Sequence, residues 1–199
     1  MKKKFKNVSR KKSSKYLGGG RHTSGAGART VPMLHPGARR EMLSDASGGA
    51  ARVLCFGDSL TAGYWANGRR FHPYAGEAKR LLGVPIDHVG LCGWTTKQMV
   101  ASLDNPNCRD VCGNMWKGLR VKLREHRYSH CVILAGTNDV GGGEGGGAED
   151  IVRNIVKLAS VAMQHGCKVF VMTIPELRAE QQHSKMHAIR TRANQLLMQ

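Results

Sequence analysis

Four short apolar runs recur along the last three quarters of the chain, each closed by glycine or proline: 53–56, 86–91, 131–135 and 169–174. Their length, and the Val, Ile, Leu and Phe that fill them, read as strands rather than helices. The continuous apolar stretch Cys131-Val132-Ile133-Leu134-Ala135 is what a strand covered on both faces requires. Between the runs the spacing predicts helices over 73–82, 96–103, 116–126 and 148–165, and a last one over 178–199. Pro73 lies in a first turn, while Gly83 and Gly166 act as stops. Within 148–165, Ile151, Val152, Ile155, Leu158, Ala159 and Ala162 fall on one side. Strands alternating with helices predict an α/β fold, a mostly parallel sheet with helices on both faces. In such folds a ligand binds beyond the carboxyl ends of the strands, where the strand order reverses.

Three polar clusters fall at those ends. Gly57-Asp58-Ser59-Leu60 follows the first run, Gly90-Leu91-Cys92-Gly93-Trp94-Thr95-Thr96 closes the second, and Gly136-Thr137-Asn138-Asp139 follows the third. Ser59, at a tight turn, offers a hydroxyl nucleophile. The backbone N–H groups of Ser59 and Gly93 and the side-chain amide of Asn138 are donors of the type that stabilise an oxyanion. Each cluster alone also fits an ordinary loop turn; three in order at strand ends favour a shared site. Asp58, Tyr64, Trp65 and His72 are the candidate substrate contacts, although the aromatic group around them also fits core packing. The glycine-rich stretch 141–147 lacks the Lys-Ser/Thr of a phosphate loop and reads as a flexible linker.

The chain carries a net charge of +17, and twelve Lys and Arg against two acids in residues 1–50 account for ten of those charges. The basicity therefore belongs to a Gly/Ser-rich leader, expected to be disordered, and says little about the substrate. The leader reads foremost as a solvated tail. An organelle presequence and a nuclear or nucleic-acid-binding patch remain alternatives, the last weakened because no aromatic residues interleave the charges. No apolar run approaches the ~20 residues of a membrane helix, and no secretory signal is present in the leader. Six cysteines read as free thiols of a reducing compartment, which favours an intracellular, cytoplasmic location. Cys108-x-x-x-Cys112 has no second pair to complete a zinc site.

The stretch from Val53 through Gly57-Asp58-Ser59-Leu60 to Tyr64 resembles the first block of the GDSL, or SGNH, family of esterases and lipases. Gly93 within Cys92-Gly93-Trp94 resembles the second-block glycine, and Asn138 within Gly136-Thr137-Asn138-Asp139 the third-block asparagine. The resemblance spans 51–199. It implies a flavodoxin-like three-layer α/β/α fold and hydrolysis of small-molecule acyl esters through an acyl-serine intermediate. It implies no metal and no organic cofactor.

The family's last block, an Asp and a His three residues apart beyond a fifth strand, has no counterpart before Gln199. The expectation is therefore a domain incomplete at its C-terminus, lacking the last strand and the general base, with the fourth strand as an open apolar edge. His165, His183 and His187 read as surface residues rather than substitutes. Two functional readings follow: a serine ester hydrolase, reduced in activity as this chain, and a non-catalytic ligand-binding relative.

Overall fold

A computed structural model describes residues 51–65, 68–142 and 146–199. The basic leader over 1–50 and residues 143–145 of the glycine-rich stretch lie outside them. In chain order the elements begin with β1 (Val53–Asp58), α1 (Ser59–Ala62), β2 (Tyr64–Trp65), β3 (Arg70–Phe71), α2 (Tyr74–Leu82), β4 (Ile86–Leu91) and α3 (Thr96–Ala101). They continue with β5 (Cys108–Arg109), β6 (Met115–Trp116), α4 (Leu119–Glu125), β7 (His130–Leu134) and α5 (Thr137–Val140). The last are α6 (Ala148–Gln164), β8 (Lys168–Val171), a 3₁₀ turn (Arg178–Gln181) and α7 (Ser184–Leu197).

Four strands form one parallel sheet in the order β4-β1-β7-β8. From β1 the chain first steps out to β4 and then returns across β1 to β7, so the order reverses between β1 and β7. That reversal opens a crevice at the carboxyl ends of the strands. The mostly parallel α/β fold expected from the alternation of strands and helices, and the flavodoxin-like form that the resemblance implies, are what is observed.

The pleat of β1 explains why its run is apolar without alternation. Leu54 and Phe56 face one side, with Leu91, Cys131 and Ile133, and pack on α3, α4, α6 and α7. Val53 and Cys55 face the other, with Val132, and pack on Tyr74 and Ala75 of α2. The first side is the main core. Leu54, Phe56, Ile133, Ile151, Ile155 and Leu158 are all fully buried there, each contributing about 1.5–3 kcal/mol. Among the described residues β8 pairs with β7 alone, and its Phe170 and Val171 side chains are exposed.

Several boundaries differ from the sequence expectation. The helix predicted over 116–126 begins at Leu119, because Gly118 is its buried N-cap and Trp116 belongs to β6. A Cβ on Gly118 would lie 2.0 Å from the Ser102 carbonyl oxygen, so the chain passes that point too closely for a side chain. The fourth strand ends at Val171, not 174, because the Asn194 side chain of α7 takes both the N–H and the C=O of Ile174 at 2.8 Å. The predicted last helix is divided. Buried Glu180 accepts from Leu177 N (3.0 Å) and Arg190 Nε (2.7 Å), closing a 3₁₀ turn before α7 starts at Ser184. The two small hairpins, β2–β3 and β5–β6, were not expected from the sequence.

Candidate active site

The three polar clusters meet at the sheet crevice. Ser59 is the first residue of α1, directly after β1 and half-buried. Gly57, just before it, has no room for a side chain, since a Cβ there would lie 1.9 Å from the Leu134 carbonyl oxygen of β7 and 2.5 Å from Thr61 Oγ1 of α1. Gly93 follows β4 with φ at +76°, and a Cβ on it would come within 2.7 Å of both γ-carbons of Val111. Asn138 sits in α5, just beyond β7. Ser59, Gly93 and Asn138 line one cleft of about 520 Å³, together with Tyr64, Val111 and Cys112. That volume suits a small organic ligand. Among the described residues no hydrogen bond ties down Ser59 Oγ.

Three buried carboxylates hold the loops in register. Asp58 is fully buried; it accepts from Leu60 N (3.0 Å), capping α1, and from Thr137 N (3.3 Å), joining the first loop to the third. Burial pushes its carboxyl up, against the pull of the Leu60 amide. Asp139 accepts from Thr96 N (2.9 Å) and Thr96 Oγ1 (2.6 Å), joining the third loop to the second. Asn138 Nδ2 adds a donation to the Trp94 carbonyl at 2.9 Å.

Asp110, in the turn of the β5–β6 hairpin, accepts from Cys92 N (3.4 Å), Cys112 N (2.9 Å), Asn114 N (2.9 Å) and Trp116 Nε1 (3.0 Å). Burial works to raise this carboxyl, but the donors from Trp116, Asn114 and Cys92 outweigh it and hold it below the usual carboxylate range. The hairpin is thereby fastened to the loop that carries Gly93, with Val111 N also donating to the Cys92 carbonyl at 3.2 Å.

The model of the GDSL-like lipase/acylhydrolase family matches residues 55–199. The chain belongs to this family. Similar solved structures include a lipolytic protein of the G-D-S-L family from Veillonella parvula, with a TM-score of 0.53 and 18% identity over 75% of this chain and 71% of that one. A lipase/acylhydrolase from Enterococcus faecalis is similar with a TM-score of 0.53 and 18% identity, over 73% of this chain and 70% of that one. At such identities the likeness is one of fold. Among curated proteins, none matches the sequence.

Within this GDSL-like chain the expected site residues divide. Ser59, Gly93, Asn138 and Tyr64 converge on the cleft. Trp65 and His72 are exposed and are not among the residues lining it. Asp58, expected as a substrate contact, is fully buried and not among the residues lining the cleft; its two carboxylate oxygens accept from Leu60 N and Thr137 N. Among the described residues no histidine lines the cleft, and no group of three His, Cys, Asp or Glu is placed to hold a metal ion.

Sequence reasoning missed Asp110, Asp139 and Trp94 as organisers and Val111 and Cys112 as lining residues. A signal existed for Asp110: it is the one acid between Asp104 and Glu125, inside a stretch rich in turn residues. Cys92, buried under Gly93, has its thiol pushed up to about 12 by burial and by the neighbouring Cys112, so it remains protonated.

Proposed function

We propose that this chain hydrolyses carboxylic esters of small acyl substrates, with Ser59 Oγ as nucleophile. The supporting observation is that Ser59, Gly93 and Asn138 line one cleft at the reversal of strand order. Ser59 Oγ bonds to the ester carbonyl carbon, and the carbonyl π electrons move onto oxygen. The Ser59 and Gly93 backbone N–H groups and the Asn138 amide donate to that oxyanion. Asn138 gives one amide hydrogen to the Trp94 carbonyl, which orients the second toward the cleft. Each such donor typically lowers the barrier by about 2.7–4 kcal/mol. Collapse expels the alcohol, taking a proton, and leaves the acyl group on Ser59; water then repeats the addition and releases the acid and the free serine.

In a cleft with no histidine among its described lining residues, hydroxide takes the Ser59 proton and becomes water. Acylation by this chain should then rise about tenfold per pH unit through neutrality; a plateau near the usual histidine value of about 6.5 would place a histidine at Ser59. The same observation favours a second reading, a cleft that binds an acyl ligand without turning it over. Fluorophosphonate labelling separates them. Label on the wild type, lost in Ser59→Ala together with ester turnover, is the expected result. An unlabelled wild type that binds an acyl ligand as tightly as Ser59→Ala would overturn the hydrolase reading in favour of the second.

A further inference from the structure

One wall of the cleft carries a pair of thiols that ester hydrolysis does not use. Cys112 is the exposed member of six free cysteines and lines the cleft with Gly93. Cys92, which follows β4 and precedes Gly93, is buried at 1% exposure. One carboxylate holds the backbone of both: Asp110 Oδ2 accepts from Cys92 N at 3.4 Å, and Oδ1 from Cys112 N at 2.9 Å. Beside them Val111 N donates to the Cys92 carbonyl at 3.2 Å. Chains joined in this way carry α-carbons about 4.5–5.5 Å apart, inside the span of about 4.4–6.8 Å that a disulfide bridges. The side chains meet as well. Burial, and then the hydrogen bond that the Cys92 thiol shares with Cys112, push Cys92 up to about 12.

The other thiols are placed differently. Cys108 shares the hairpin with Cys112 but turns into the core, where its Sγ lies 3.6 Å from the Asn105 carbonyl oxygen. Cys55, Cys131 and Cys167 are buried in the two apolar clusters that flank the sheet. Cys112 is therefore the thiol open to a reagent from solution, and Cys92 is the one it touches. A group added to the Cys112 sulfur would stand in the cleft that Ser59 lines.

We propose that Cys112 and Cys92 form a thiol–disulfide exchange pair, in which Cys112 takes the first bond and Cys92 resolves it. The oxidant is a small disulfide of the glutathione type. The Cys112 sulfur attacks one sulfur of glutathione disulfide, giving a mixed disulfide and one glutathione, which carries away the Cys112 proton. The Cys92 sulfur then attacks the Cys112 sulfur, and its proton passes to the second glutathione as that leaves. Two protein thiols are oxidised, and one glutathione disulfide is reduced to two thiols. Burial keeps Cys92 from reagents in solution, while contact with Cys112 favours the internal step. The bridge clears the adduct from the cleft and fastens the Gly93 loop to the turn that holds Val111. The proposal does not depend on ester hydrolysis, so Ser59→Ala should form the same bond as the wild type.

The test is intact mass and peptide mapping of the full chain after incubation with glutathione disulfide under native conditions. The wild type should become lighter by two hydrogens, with Cys92 and Cys112 in one linked peptide pair, and dithiothreitol should reverse the change. Cys92→Ser should instead gain one glutathionyl group on Cys112. Cys92→Ala should do the same without placing a hydroxyl in the core, and Cys112→Ser should stay unmodified. A wild type that keeps the adduct as Cys92→Ala does would overturn the proposal. So would a wild type that does not react, a bridge from Cys112 to Cys108, or a dimer joined through Cys112.

Discussion

The two hairpins that wall the cleft are alike in size and opposite in how they are held. The β5–β6 hairpin is wired into the fold: Asp110 collects backbone and indole donors, Cys108 is buried, and Trp94 Nε1 donates to the Arg109 carbonyl at 3.3 Å. Around the β2–β3 hairpin the ties are the His72 N–H donated to the Gly63 carbonyl at 2.7 Å and the ring contact of Tyr64 with Phe71. Tyr64, Trp65 and Arg70 are all exposed. One wall therefore shares its stability with the core and with the loop that carries Gly93. The other can change its side chains with little effect on the fold. The side chains lining the cleft are thus more easily altered at the β2–β3 wall, and the backbone at Gly93 is tied to the β5–β6 wall.

The largest effect that would sharpen this contrast is expected at Asp110. Asp110→Asn replaces an acceptor oxygen with a donor inside a buried network and should destabilise the chain by about 3 kcal/mol, read by denaturant unfolding. The pH dependence has a definite sign. Because the folded carboxyl is held below its ordinary 3.8, its contribution is fully present above that value and is lost as pH falls through the lower folded value. The gap between wild type and Asp110→Asn should be flat at neutral pH and close only below about pH 3.8. A gap that closes above pH 5 would contradict the assigned network.

Next in size is Gly93→Ala, which strains a left-handed backbone and drives a methyl into Val111; a loss of about 1–2 kcal/mol is expected from the backbone alone. Adding Val111→Ala should recover the steric part and leave the backbone part, as measured by thermal unfolding. Full recovery would show that φ at Gly93 is not the constraint.

At the other wall, Tyr64→Ala should cost under about 1 kcal/mol of stability while raising KM for small aryl esters more than it lowers kcat. A loss as large as that of Asp110→Asn would break the comparison outright. The smallest effect is expected at Cys112, the exposed member of six free cysteines. One thiol should react quickly with a maleimide in the native protein, and Cys112→Ser should remove that phase while shifting stability by less than about 0.5 kcal/mol. Fast reaction of a second thiol would show that Cys92 is reached through the cleft.

Much of the architecture was legible along the chain because its signals are local. The run from Val53 to Phe56 is apolar at every position, and β1 is covered on both faces. Pro73 and Gly83 bracket α2 as its N-cap and C-cap. Ile151, Ile155, Leu158 and Ala162 mark one face of α6, and all are buried. The hairpins escaped because two-residue strands are too short to show a period of two. The start of α4 was misplaced because Trp116 fits an amphipathic helix, and only the close passage at Gly118 stops it from doing so.

The order of the three site loops, the serine turn, the glycine at position 93 and the amide of Asn138 are all written in short-range sequence, since each depends on its nearest neighbours. The roles of the acids are not. Asp58 finds Thr137 across 79 positions, Thr96 finds Asp139 across 43, and Cys92 finds Asp110 across 18. A buried carboxylate is stable only where several donors converge on it, and strands assembled side by side bring those donors together. Asp58 reads in the sequence as a residue beside Ser59, and only the folded chain shows that it also ties the Ser59 loop to the Thr137 loop.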